Sequence, residues 1–129
     1  MSGARPLQWI GSSKRNLLTF PEDVRQAMGF ALFTAQTSDE HSNAKALKGF
    51  GGRGVLEVVE QHDGDTYRSV YTVRLENVVY VLHCSRKKAK RGIATPKEDM
   101  DLIRKRLADA QEIDRAIAGQ SGGSEGDGR

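Results

Sequence analysis

"VLEVVEQHDGDTYRSVYTVRLENVVYVLHCSRK", residues 55–87, decides how this chain folds. β-Branched and aromatic residues fill it, and two polar breaks, Asp63-Gly64 and Glu76-Asn77, divide it into three runs. Asp-Gly between apolar runs is a strong hairpin signal, because both residues tolerate positive φ. Asn77 supplies the same tolerance at the second break. The stretch therefore reads as three antiparallel strands joined by two tight turns.

Two-residue turns at both breaks place Glu57 opposite Val70, Val70 opposite His83, and Arg68 between Val59 and Ser85. Directly opposed residues share a face of the sheet. One face then carries Leu56, Val58, Tyr71, Val73, Tyr80 and Leu82 and is expected to be the core. The other gathers Glu57, Arg68, Arg74, His83, Ser85 and Lys87 among Val59, Val70, Thr72, Val79 and Val81. A carboxylate, a guanidinium, an imidazole and an ammonium converge at one end of that second face.

Upstream, "FPEDVRQAMGFALFTAQ" places Pro21 in a first helical turn, with Glu22 and Asp23 at the positive end of the dipole. Val24, Ala27, Met28, Ala31, Leu32 and Ala35 recur at helical spacing, so an amphipathic helix over about 21–37 is expected to cover the core face. Before it, "PLQWI" (6–10) reads as an edge or first strand, and Ser12 or Ser13 as the N-cap of a short helix. The polar, glycine-rich stretch 37–54 reads as a long loop. Downstream, Thr95 and Glu98 form a capping-box pattern with Pro96 at the first helical position, opening a helix that runs to Gly119. Residues 120–129 have a Gly/Ser-rich, disordered composition. The whole predicts an α+β fold: a small, mostly antiparallel sheet, N-terminal helices packed on one face, and a C-terminal helix. Residues 1–119 form the single domain.

The chain has 129 residues, enough for one modest core. The one cysteine, Cys84, cannot form an internal disulfide, and the three histidines, His41, His62 and His83, are scattered, so neither a disulfide framework nor a metal centre is expected. No apolar run approaches the ~20 residues of a membrane span, and no leader pattern opens the chain, so a cytoplasmic location is expected. The net charge is +3, yet five of the 20 cations fall within residues 86–91, without an acid among them. A local cationic patch on a balanced chain attracts polyanions, nucleic acid above all.

Four segments, "PLQWI", "LKGFGGRGVLEV", "HDGDTYRSVYTV" and "YVLHCSRKKAKRGIATP", together resemble the HigB-type, phage-derived branch of the RelE/ParE toxin superfamily. The resemblance spans about residues 6–113. It implies a RelE-like fold and a type II toxin, usually an endoribonuclease that cuts mRNA on the ribosome and is neutralised by a cognate antitoxin. Such antitoxins are commonly DNA-binding proteins of the helix-turn-helix kind, and operator DNA is met only through the toxin–antitoxin complex. By position, the family's conserved arginine falls on Arg68, its histidine and lysines on His83, Lys87 and Lys88, and its strand glutamate on Glu57. The chain departs from the pattern at Ser85, where the family has an aromatic able to stack on a base. It departs again at Val59, where the family has an arginine.

The residues suit metal-free RNA cleavage, which calls for no cofactor. The 2′-hydroxyl must lose a proton, charge on the phosphoryl oxygens must be stabilised, and the leaving 5′-oxygen must gain a proton. Imidazole titrates near neutrality, so His83 is the natural base or acid. Arg68 offers a planar fork for the phosphate, Lys87 stabilises charge, and Glu57 acts as base or holds its neighbours. Lys48, Arg53, Arg86, Lys88, Lys90 and Arg91 would grip the RNA backbone through salt-sensitive contacts. Two rival readings follow from the same residues: a non-enzymatic ParE-like gyrase poison, and a basic RNA- or ribosome-binding module without catalysis. In a purely structural reading, Glu57 and Arg68 form an ordinary cross-strand ion pair, and 86–91 is a solvated loop.

Overall fold

The computed structural model describes residues 4–39, 41–51, 54–88 and 95–126, the stretch 120–126 as backbone only. The elements run β1 (Leu7–Trp9), α1 (Ser13–Leu18), α2 (Glu22–Gln36), β2 (Ala44–Ala46), β3 (Val55–His62), β4 (Asp65–Thr72), β5 (Val79–Lys87) and α3 (Lys97–Gly126). The five strands form one sheet in the order β1-β5-β4-β3-β2, with β1 parallel to β5 and the other pairs antiparallel. The fold is α+β, as the sequence pattern predicts.

The β3–β4 hairpin has the expected register, with Glu57 opposite Val70 and Val59 opposite Arg68. Asp63 and Gly64 take φ of 51° and 83°, the double positive pair that a two-residue turn of this hand requires. Between β4 and β5 the register at the site is also the expected one, Arg68 opposite Ser85 and Val70 opposite His83. The expected two-residue turn at Glu76-Asn77 does not form. Residues 73–78 make a longer connection, and a β-bulge restores the phase, since Tyr71 pairs with Val81 while Val70 pairs with His83.

Leu82 is the extra residue of that bulge, and it changes which side chains form which core. Val79 and Val81, not Tyr80 and Leu82, join Leu56, Val58 and Tyr71 against α2. Tyr80 and Leu82 turn to the opposite face and pack with Val55, Val70, Ile103 and Ala110. The sheet is thus buried on both sides, α1 and α2 on one and α3 on the other. Met28, Val58, Val70, Leu82 and Ile103 all have zero exposure, and each such side chain contributes about 1.5–3 kcal/mol of burial.

The stretch read as a long loop contains β2, an edge strand whose Lys45 sits opposite Glu57. α3 continues to Gly126, past the Gly119 end read from the sequence.

β1 covers the outer edge of β5 for three residues only, and side chains complete the cover. Ser13 Oγ donates to the Val81 carbonyl (3.0 Å), and Asn16 Nδ2 donates to the Cys84 carbonyl (3.3 Å). Arg106 Nη1 donates to the carbonyl of the bulged Leu82 at 3.0 Å. The Val81 carbonyl also accepts from the Ile10 N–H (3.0 Å), so both its lone pairs are engaged. At the far end, Asp114 on α3 accepts from the Tyr80 hydroxyl (3.1 Å) and Asn77 Nδ2 (3.3 Å).

Candidate active site

The α3-facing side of the sheet presents its polar residues in rows across the strands. Lys45, Glu57, Val70 and His83 form one row, Val59, Arg68 and Ser85 the next, and Gln61, Thr66 and Lys87 the third. Arg68 thus lies at the centre of the meander, its Nε 3.6 Å from Glu57 Oε1 on the neighbouring strand. Their side chains are 6% and 20% exposed, so water screens this pair less than it would a surface pair. Glu57, Arg68, His83 and Lys87, the four residues expected to act together, share this face.

α3 adds what the sequence did not reveal. Asp99, in its first turn, brings Oδ2 to 3.5 Å from His83 Nε2 and 3.6 Å from Lys87 Nζ. Thr95 Oγ1, expected to cap the helix, reaches Glu57 Oε1 at 3.5 Å. Residues 95–100 therefore cross the site from β3 to β5. His83 keeps only 8% of its side chain exposed beneath them. Burial holds the imidazole below its ordinary pKa; Asp99 pulls it up, and Arg106 and Lys87 push it down. Near neutral pH the ring is uncharged, and neither of its nitrogens makes a hydrogen bond within the described residues.

Two clefts flank the crossing segment. One, of about 370 Å³, is bordered by Lys45, Lys48, Glu57, Thr95 and Met100. The other, of about 280 Å³, is bordered by Asn16, His83, Ser85, Lys87 and Asp99. Lys48 is exposed at the rim of the first, and Lys88 is exposed just beyond β5. Arg86 points to the other face of the sheet. It lies opposite Tyr67, with its guanidinium 5.9 Å from that ring, and it binds Asp65 Oδ2 at 2.8 Å through Nη2. Arg53, Lys90 and Arg91 lie outside the described residues. Among the described residues, no group of three or more His, Cys, Asp or Glu is placed to hold a metal ion, and no helix is long and apolar enough to cross a membrane.

Lys45, Thr95, Asp99 and Arg106 thus border the site without having been singled out. Lys45 had a signal, the polar–apolar alternation of "NAKAL" (43–47). Asp99 had none, since an acid in a first helical turn is explained by the helix dipole alone.

No curated protein sequence matches the chain. Among solved structures, it is similar to a mutant of the E. coli toxin RelE in the free state, with 19% identity and a TM-score of 0.46. That match covers 64% of this chain and 83% of the other. It is also similar to a chain of the toxin–antitoxin complex RelBE2 from Mycobacterium tuberculosis, with 17% identity and a TM-score of 0.44, covering 68% and 97%. The model of a family described as phage derived protein, Gp49-like, matches residues 15–108. That match takes in all but the first two residues of α1, the whole meander with the site, and the start of α3, and the chain belongs to the Gp49-like family of phage-derived proteins.

Proposed function

We propose that the protein is the toxin of a type II toxin–antitoxin pair, of the HigB-type branch of the RelE/ParE superfamily, acting as a metal-independent endoribonuclease on mRNA at the ribosome. One observation carries the reading: Arg68, Glu57, His83 and Lys87 meet on one sheet face, in the register that the motif resemblance requires. Neutral His83 takes the proton of the 2′-hydroxyl as its oxygen attacks the adjacent phosphorus. The bond from phosphorus to the 5′-oxygen breaks, and that oxygen leaves with a proton from the Lys87 ammonium or from water. A 2′,3′-cyclic phosphate remains. Arg68, held by Glu57, stabilises the charge that grows on the phosphoryl oxygens, a role worth about 10²–10³-fold in rate. General base catalysis contributes a further ~10²–10⁴-fold. Lys48 and Lys88, with Arg53, Lys90 and Arg91, hold the RNA backbone, while Arg86, on the other sheet face against Asp65, takes no part. A cognate antitoxin, itself the operator-binding member of the pair, keeps the enzyme silent.

The test is induced expression of the wild type, Arg68→Ala and His83→Ala, with mapping of mRNA 5′ ends over minutes. New ends inside coding regions for the wild type alone are the expected result. Growth arrest without new ends would transfer the reading to a gyrase poison. Neither arrest nor cleavage would leave an RNA- or ribosome-binding module, with the changes at Ser85 and Val59 as the cause.

A further inference from the structure

The groups assigned to the chemistry are not accessible to RNA. The side chains of Arg68 and His83 are 6% and 8% exposed, and a polymer cannot reach an imidazole so enclosed. What lies over them is the first turn of α3, and its Asp99 carboxylate meets His83 and Lys87 at nearly equal distances, 3.5 and 3.6 Å. A scissile phosphate lying between a 2′-hydroxyl at His83 and a leaving oxygen at Lys87 would need the space that this carboxylate fills, and it carries the same single negative charge.

The two parts of α3 are held differently. From Ile103 onward, apolar and directional contacts anchor the helix: Ile103 and Ala110 have zero exposure, Arg106 binds the Leu82 carbonyl, and Asp114 binds Tyr80. Residues 95–99 are held over the site by the polar contacts of Thr95 and Asp99, at 3.5–3.6 Å. Asp99 Oδ2 is buried, yet it forms no hydrogen bond within the described residues. A buried carboxylate oxygen satisfied only by one loose ion pair, with Lys87 at 3.6 Å, is costly to keep, and its replacement by a better-bonded anion is favourable.

We propose that residues 95–99 form an autoinhibitory strap. Asp99 occupies the phosphate position against His83 and Lys87, and the site opens when this turn peels away while Ile103 onward stays docked. The inference rests on the nuclease reading for the identity of the displacing anion, but not for the strap itself.

Diethyl pyrocarbonate, which acylates accessible neutral imidazoles, reads the strap without RNA, with peptide mapping to separate the three histidines. His62, whose side chain is 31% exposed, is the internal reference, and His83 in the wild type is expected to react at least about tenfold more slowly. Asp99→Asn keeps the shape and removes the charge; it is expected to speed His83 modification about three- to tenfold while leaving His62 unchanged. Asp99→Glu keeps the charge and is expected to leave His83 protected. Unchanged His83 reactivity in Asp99→Asn overturns the strap, and if RNA cleavage falls at the same time, Asp99 is a positioning residue for His83. Equal exposure in Asp99→Asn and Asp99→Glu, with a lowered melting temperature in both, also overturns it, as loss of packing. His83 opened in Asp99→Asn with no RNA cleavage by either form sustains the strap and refutes the nuclease reading. Opened His83 with faster cleavage than the wild type sustains both.

Discussion

Gly11→Ala tests how α3 is fastened to the sheet. Gly11 has φ of +59°, and a Cβ added there would lie 2.7–2.9 Å from the guanidinium of Arg106. Two costs follow, and they are separable. The left-handed backbone conformation costs a residue with a Cβ about 1 kcal/mol. The guanidinium must also swing aside, which is sterically easy for a side-chain end but breaks its bonds to the Leu82 carbonyl (3.0 Å) and Ser12 Oγ (3.3 Å). Hydrogen bonds from a charged donor are worth about 1.5–3 kcal/mol. The expected total is about 3 kcal/mol, or roughly 10 °C in melting temperature for a domain of this size. Urea titration of the wild type, Gly11→Ala, Arg106→Ala and the double variant makes a closed cycle. Once Arg106 is gone, only the backbone term remains, so the second substitution is expected to add about 1 kcal/mol, leaving a coupling of about 2 kcal/mol. Simple additivity of the two single losses would show that Arg106 is not what Gly11 makes room for.

Tyr80→Phe removes the hydroxyl that donates to buried Asp114 and is expected to cost about 1.5–3 kcal/mol, read as a lower urea midpoint at unchanged slope. In the wild type burial, with the same contact, pushes the Tyr80 phenol up to about 12, so absorbance titration should show more tyrosinate at pH 11 once the Tyr80 environment is lost in urea than in the native protein. Cys84 is buried and its thiol is pushed up to about 11, so it should resist iodoacetamide at pH 8 in the native protein and react fully in urea. The pKa of His83 is lowered in the fold, so the unfolded chain binds its proton more readily. The resulting stability is present above the ordinary value of about 6.5 and is lost as pH falls below it. Melting temperature is expected to drop between pH 7.5 and 5.5, and to drop less in His83→Asn; equal slopes in the two proteins would count against the buried neutral ring.

The meander and its register were legible because turn chemistry is local: Asp63-Gly64 states its own geometry, and the pairing of Glu57, Val70 and Arg68 follows from it. The bulge at Leu82 was not legible, because Val79, Tyr80, Val81 and Leu82 are all apolar and such a run carries no phase. The same four residues, though, hold the clue to the second helical layer. An unbroken apolar run is what a strand buried on both faces looks like, and it implies cover for the side where Arg68 and His83 lie. Which helix supplies that cover is a tertiary fact. Ile103, Leu107, Ala110, Ile113 and Ile117 announce an amphipathic α3 but not the face of the sheet it chooses. Asp99 follows from that choice, so the closed state of the site became visible only in three dimensions.

The outer edge of β5 has a consequence for how the chain is made. Leu7 pairs with Val79, and Ser13 reaches Val81, so the cover for this edge is built from residues translated some 70 positions earlier. At roughly 5–20 residues per second, β1 and α1 wait about 4–14 s for their strand to emerge. When β5 leaves the ribosome it finds β4 on one side and its edge cover on the other. A strand whose first six residues are all buried therefore never has to present a bare edge to its neighbours. A circular permutant that moves residues 1–18 behind α3 reverses that order. It is expected to reach the same final structure when refolded dilute, and to aggregate when synthesised at high concentration.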